Sequence, residues 1–575
     1  MRLTPLQDRL ALAALTLTAC CMGLGLAPLF DWDEINFAES AREMLVSGDW
    51  FRVQINYQPF WEKPPLFFWL QALCMRLFGT GEFAARLPDA LAGAVTIQVL
   101  YVQGLRWRGQ AFARLLSLLM LASPLPGVYF KSGIIDPVFN LFILLALLEL
   151  LRFEQLPAAA RRSLRDAPAW TAGFWIGLAT LTKGPAALLV TLLIYGLYRS
   201  LYCGFRLPWR QAFLFLLAWG VPVAGWYGLE TLVHGPWFLR EFFRYQAELF
   251  TQGVAGHEQP FYYHILVFLP GCFPMAAFAF QGMRRAEEEA PEDRQLRRFA
   301  LLWFWTVMVL FSLATTKIIH YASLVYVPAA VLGALYLDRM RQVPGRWGRE
   351  VWPLLILGLT VWAGGALAVY PLWLLRDAWV QLIPDPLAVA TVLAPVRWTA
   401  WALLPGLALL AASVLALRWL RRRQVLRFVL AQAAGTLLFL NLAYALLLPN
   451  AARHAQGAPL DFFSGLAGKP VYVATAGYKS YLPYFYAQIT PGDPRAGDLN
   501  WLAEGETDRD VYLATRSTKV NAAFLERFRQ FERLYEADGF VFFRRRRPGA
   551  PDPEGLAQAA APYRQQPVPR FVQAE

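Results

Sequence analysis

Apolar runs close to the thickness of a bilayer recur along this chain, and they decide what it can fold into. A hydrocarbon core of about 30 Å is crossed by about 20 helical residues. Inside it the backbone amides must be satisfied within the protein, which makes the α-helix the spanning form for runs of this kind. The stretch LALAALTLTACCMGLGLAPL, residues 10–29, is the first such run. A soluble chain would have to bury a dozen of them in one core. With 57% hydrophobic and only 17% charged residues, the chain is read as a polytopic α-helical membrane protein.

Thirteen spans are expected. The first seven are Leu10–Leu29, Leu87–Leu105, Leu115–Tyr129, Asp136–Leu151, Ala169–Leu181, Pro185–Leu197 and Ala212–Leu229. Three more start near His264, Phe299 and Tyr321, and the last three are Val351–Leu375, Trp398–Leu417 and Val425–Leu448. The first run is long for a signal core and is read as a retained span. Two long connections, 31–86 and 230–263, carry apolar stretches too short to span, such as PLFFWLQALCMRLFG from Pro65 to Gly79; these suit interfacial helices. The division expected is a membrane domain over 1–449, a small α/β domain over 450–547 and a disordered tail over 548–575. In the α/β domain, Lys469–Gly477, Asp510–Ser517 and Gly539–Arg546 read as strands, and Ala522–Tyr535 reads as an amphipathic helix.

The net charge of +13 is not a nucleic-acid footprint. Its arginines cluster in short loops: Arg106, Arg108 and Arg114; Arg161, Arg162 and Arg165; Arg294, Arg297 and Arg298; Arg418 and Arg421 to Arg423. That is the positive-inside bias. It places the N-terminus in the cytoplasm and both long loops and the C-terminal domain outside. Cys20, Cys21, Cys74, Cys203 and Cys272 all lie in or beside apolar segments and imply no disulfide framework.

Ionisable groups are expensive near a bilayer and tend to mark function. The outer side collects His234, His257, His264, His320 and His454, together with Asp33, Glu34, Glu62, Lys63, Arg86, Lys131, Asp136, Lys183 and Lys317. Separate spans contribute them at one face, which describes a cavity. Individually, several have plainer readings. Asp33 and Asp136 suit helix N-caps, and Glu62–Lys63 suits an exposed ion pair stiffened by Pro64 and Pro65. Lys63 can hold a phosphate as a point charge, and Glu62 can coordinate a metal. No Ser-His-Asp, Cys-His or phosphate-cradling glycine pattern supports a hydrolase or an ATPase.

Six stretches carry a family resemblance: DEINFAESAREMLVSGDW, EKPPL, IIDPVFN, LTKGPA, HEQPFYYH and TKIIHY. In these the chain resembles the integral-membrane glycosyltransferases of the GT-C fold class, in the branch of the protein O-mannosyltransferases. Within that branch it is most similar to bacterial lipid A aminoarabinose transferases. The motifs cover the first 330 residues or so, and the remainder matches by layout. The resemblance implies an inner-membrane enzyme working at the periplasmic face, expected as a monomer. Its donor would be undecaprenyl phosphate-aminoarabinose, its acceptor a lipid A phosphate, and its consequence polymyxin resistance. No nucleotide cofactor is expected. It also implies catalytic roles for Asp33 and Asp136, with Glu34 beside them, and a donor-phosphate site at Lys63 with Arg86, Tyr321 and Lys317. Glu62 with His264 or His257 would hold a divalent metal.

Two alternatives stay open: a GT-C enzyme with a protein hydroxyl or another glycan as acceptor, and a transporter of a lipid-linked sugar. The acceptor also decides what Asp33 does. A hydroxyl needs a general base, whereas a phosphate, with a second pKa near 6, is already nucleophilic at neutral pH. For a phosphate acceptor, Asp33 would position the sugar or stabilise developing positive charge.

Overall fold

The computed structural model describes residues 4–157, 161, 168–204, 209–251, 259–285, 288–343 and 345–547. The expected tail at 548–575, His257, Arg162 and Arg165 lie outside the described residues.

Every expected span coincides with a helix or a bent helix pair. Among the described residues, seven helices are long and apolar enough to cross a membrane: Glu82–Arg108, Trp209–His234, Pro291–Leu313, Ile319–Gln342, Val351–Leu374, Ala400–Arg421 and Val425–Ser464. Tyr263–Gly271 and Met275–Met283 reach that length only together, as a pair bent by 116°. Pro270 and Pro274 sit at that break, where an imino acid cannot continue the hydrogen-bond ladder. The remaining five expected spans are the helices Pro5–Cys21, Gln110–Leu121, Asp136–Gln155, Pro168–Lys183 and Ala186–Tyr202. They are shorter, or, like Asp136–Gln155, carry acids and bases at their ends.

The first long connection folds onto the bundle end. Helix Asp33–Ser47 is buried nearly all round, its Glu39 and Glu43 as completely as its Phe37, Ala41 and Met44. Glu39 is satisfied by Arg42 at 2.7 Å, and Glu43 accepts the amides of Asn56 and Tyr57. These amides belong to a tight hairpin, β1 Gln54–Ile55 with β2 Gln58–Pro59, whose turn residues Asn56 and Tyr57 both have φ of 54°. Leu66–Phe78 is the expected short apolar helix.

Helix Leu448–Ser464 leads from the last span into the C-terminal domain and breaks at Gln456, φ −147°. The freed Gln456 side chain donates to Leu29 O (2.6 Å) and accepts from Asp31 N (3.3 Å). The domain is thereby fastened to the point where the first span ends. Its sheet runs β3–β4–β6–β5, with β3 Val471–Ala476, β4 Asp510–Arg516, β5 Glu532–Ala537 and β6 Phe540–Arg545. β3 and β4 are parallel and the other pairs antiparallel. One expectation is corrected here. The helix expected over Ala522–Tyr535 stops at Arg527, and Glu532–Ala537 pairs with β6 instead. Asp538 (φ 52°) and Gly539 (φ 81°) make the two-residue turn of that hairpin, the left-handed pair such turns favour.

Candidate active site

The acid-rich stretch FDWDEIN divides its carboxylates among three tasks. Asp31 holds the C-terminal domain, its Oδ1 accepting Tyr481 N at 3.1 Å. Burial pushes the Asp31 carboxyl upward, opposed by bonds from Ser480 and Tyr481 and by the charge of Lys479. Glu34 turns inward to Arg86, which donates Nε to Oε1 (3.0 Å) and Nη2 to Oε2 (2.8 Å). Asp33 is left facing the bundle end. It is not the N-cap: Trp32 occupies that position, with no side-chain cap bond.

Arg86 and Glu34 form a structural clamp rather than part of a reacting centre. The remaining guanidinium N–H groups go to Leu24 O (2.8 Å), Ala27 O (2.7 Å) and Pro28 O (2.9 Å). Glu34 also accepts Phe30 N (2.9 Å) and Gly133 N (2.8 Å). All five guanidinium donors are therefore used, and none is free for a donor phosphate. Burial alone would raise the Glu34 carboxyl, but the Arg86 charge and these bonds outweigh it and hold it below the ordinary carboxylate range. In this arrangement Arg86 turns every N–H away from the expected donor phosphate, and Glu34 faces Arg86. Lys131 is likewise structural, donating to the end carbonyls Ala19 O (3.0 Å), Cys20 O (3.3 Å) and Met22 O (2.5 Å).

Clamp and turn together fix Asp136. Gly133 N binds Glu34, and Ile134 N binds Asp89 (2.8 Å) from the span below. Asp136 then opens its helix without capping it. Its Oδ1 lies 2.7 Å from Lys183 Nζ, the lysine of LTKGPA. His320 Nε2 stands between the two acids, 3.7 Å from Asp33 Oδ2 and 3.8 Å from Asp136 Oδ2. Lys183 also sits 5.1 Å from the centre of the Tyr321 ring, within cation–π range.

Lys63 joins the cluster from the EKPPL loop, 5.7 Å from the ring of Tyr245. Burial pushes its ammonium below the ordinary lysine value, opposed by Glu62 and Asp33, while Lys183 adds to the lowering. Glu62 faces Lys479 at 3.8 Å and bonds the Tyr245 hydroxyl. The structure thus brings Asp33, Asp136, Lys63, Tyr321 and Glu62 together. Lys317 is directed to Ala314 O (2.6 Å) and neighbours His264.

Four residues without an assigned role complete the cluster. Lys183 and His320 were legible as outer-face charges, but their pairing with Asp136 was not. Tyr245 lies on the helix Trp237–Thr251 and Lys479 in the C-terminal domain. Nothing local distinguishes either from its neighbours.

Of the expected metal ligands, His257 lies outside the described residues. Among the described residues no three His, Cys, Asp or Glu side chains gather as a metal-holding group. Glu62 faces an ammonium and a phenol, and the charged neighbours of His264 are Lys317 and His320.

The pattern of the dolichyl-phosphate-mannose-protein mannosyltransferase family matches residues 62–226, the segment that holds Lys63, Asp136 and Lys183. Curated relatives extend the similarity over a longer stretch. The chain is 26% identical over 321 residues to the undecaprenyl phosphate-alpha-4-amino-4-deoxy-L-arabinose arabinosyl transferase 1 of Proteus mirabilis, covering 55% of this chain and 57% of that protein. It is 28% identical over 352 residues to the corresponding transferase of Edwardsiella ictaluri, covering 59% and 61%. The chain thus matches less than two thirds of the length of these relatives. The crystal structure of ArnT from Cupriavidus metallidurans bound to undecaprenyl phosphate superposes with a TM-score of 0.73 at 21% identity, over 93% of this chain and 97% of that one. The apo form of the same protein gives 0.70 at 20% identity. The GT-C fold therefore extends over nearly the whole chain, beyond the matched family segment.

Proposed function

We propose that this protein is a glycosyltransferase that moves 4-amino-4-deoxy-L-arabinose from undecaprenyl phosphate to a phosphate of lipid A. It would work at the periplasmic face of the inner membrane, with its N-terminus in the cytoplasm, and would give resistance to polymyxin. The observation that carries this reading is the arrangement of Asp33, Asp136, Lys63 and Lys183 around His320, at the bundle end that the C-terminal domain covers. The names of the relatives, which state both this donor and this sugar, support it.

The chemistry follows from charge. The acceptor oxygen attacks the anomeric carbon as the bond to the donor phosphate breaks, and the leaving group is a lipid phosphate anion. Lys63 is placed to neutralise that anion as it forms, and Tyr321 lies against Lys183 in the same cluster. Lys183 is held by Asp136 and completes the basic wall. Asp33 lies beside His320 with its carboxylate partly open to solvent. With a phosphate acceptor it positions the sugar and stabilises charge developing on the ring. The matched family is named for protein mannosylation, which favours one second reading: a hydroxyl acceptor, with Asp33 as its general base.

The test is to incubate the purified protein with undecaprenyl phosphate-aminoarabinose and lipid A and weigh the product. Addition of one aminoarabinose to lipid A supports the first reading. Addition only to a hydroxyl acceptor replaces it with the second. In a strain lacking its own enzyme, expression should also raise polymyxin resistance.

A further inference from the structure

The C-terminal domain reaches the site through Lys479 and Tyr481. Lys479 Nζ lies 5.0 Å from the centre of the Trp32 ring, 5.1 Å from that of Tyr481 and 3.8 Å from Glu62 Oε1. The two rings meet edge to face, 5.7 Å apart at 79°. Two aromatic faces and a carboxylate converging on one ammonium is the composition by which proteins recognise alkylammonium ligands. This cage adjoins the reacting groups directly, because Trp32 precedes Asp33 and Glu62 precedes Lys63.

The cage is firmer than its occupant. Asp31 holds Tyr481 N at 3.1 Å and bonds the Ser480 side chain, and Thr475 Oγ1 donates to Tyr478 O at 2.9 Å. The Tyr245 hydroxyl bonds Glu62. Lys479 itself is 55% exposed; its ion pair with Glu62 is long, and Asp31 is a further charged neighbour. Exposed pairs of this kind hold little free energy, so the side chain can swing into solvent when another cation arrives.

We propose that Trp32, Tyr481 and Glu62 form a subsite for the primary ammonium of the donor sugar, and that Lys479 occupies it as a stand-in when no donor is bound. The proposal rests on the transferase reading above and deepens it by assigning selectivity for an amino sugar over a neutral one. A hydroxyl or formamide in place of the amine brings no charge to Glu62 and no cation to the rings. Such a donor loses the contacts that make the cage worth entering.

The experiment compares kcat/KM of the purified full-length protein for undecaprenyl-phosphate donors carrying a 4-amino, a 4-hydroxy or a 4-formamido pentose. Wild type should prefer the amino donor by about tenfold or more. Trp32→Leu and Glu62→Gln should each bring that ratio down by about tenfold. Lys479→Met, on an exposed loop where folding is not at risk, should lower the KM for the amino donor by about threefold and leave the KM for the neutral donors where it was. Three results overturn the subsite: equal use of amino and neutral donors by wild type, an unchanged ratio in both cage variants, or a raised KM for the amino donor in Lys479→Met. Failure of wild type to use any of these donors is the separate failure of the transferase reading.

Discussion

Lys183 and Asp136 are bound at 2.7 Å although 47 residues separate them in the chain. The acid opens one span and the lysine closes the next. Asp136 is almost fully buried, so removing the lysine leaves its carboxylate without its hydrogen-bonded cation, with His320 at 3.8 Å and the Lys63 charge nearby. Breaking a buried pair from one side costs about 3–5 kcal/mol, whereas removing both partners costs much less. Lys183→Met should therefore lower both the unfolding temperature in detergent and the transfer rate. The double variant Asp136→Asn/Lys183→Met should recover part of the lost stability without recovering activity. Strictly additive stability losses, read from a double-mutant cycle, would contradict the coupling.

Asp33 allows its two possible roles to be separated by acceptor. The carboxylate lies 3.7 Å from His320 Nε2 and keeps some solvent access, so its surroundings do not force either role. With a phosphate acceptor, Asp33→Asn should lower the rate by the same factor at every pH between about 6 and 8, since the nucleophile needs no base above its second pKa near 6. With a hydroxyl acceptor, the variant should also lose the rising acid limb that a general base produces. Equal loss of an acid limb with both acceptors would remove the sugar-positioning role.

What could be read in the chain alone follows from what kind of signal each feature leaves. Asp33, Lys63 and Asp136 stand beside apolar runs, where an ionisable group is expensive, and the fold brings all three together. Arg86 and Glu34 leave the same signal for another reason. A sequence shows that a charge is present but not that its partner lies 52 residues away, and the fully hydrogen-bonded clamp reads as two free catalytic groups. Spans are legible because the bilayer fixes their length and composition. Lys479 was invisible because its meaning depends on a domain docking against the first loop, which no local pattern encodes. The strand Glu532–Ala537 is a different case. FERLYEADGF carries an Asp-Gly turn signal, but the preceding AAFLER has a helical period that runs on into it, and cross-strand pairing with β6 overrides that period.

The Arg86–Glu34 clamp should show itself in stability rather than in substrate binding. In the wild type the Glu34 carboxyl is held below its unfolded value of about 4.3 because Arg86 and the two amides outweigh burial. A depressed value means the stabilisation is complete above the unfolded value and lost as pH falls through the folded one. In Arg86→Leu burial acts with less opposition, the carboxyl rises, and the sign reverses: the variant should lose stability as pH climbs above about 4.3. At neutral pH the cost should be about 3–5 kcal/mol. Thermal unfolding across pH 4–7 would check this, and slopes of the same sign in both proteins would count against the clamp. Any folded fraction should keep a donor KM close to that of the wild type.

Lys63 sets the alkaline limit of the reaction. Burial lowers its ammonium below the ordinary lysine value of about 10.4, with Glu62 and Asp33 opposing that shift. As pH rises through the lowered value, the free enzyme loses the charge that meets the donor phosphate, so kcat/KM should fall on an alkaline limb below about pH 10. Lys63→Met should cost about 100-fold or more in turnover, the scale of one lost donor to a developing oxyanion. Lys63→Arg keeps the charge at any accessible pH but brings a fork where the site is shaped for a point charge. It should retain part of the rate and show no alkaline limb. Persistence of the limb in Lys63→Arg would assign it to another group and take Lys63 out of the role of donor-phosphate cation.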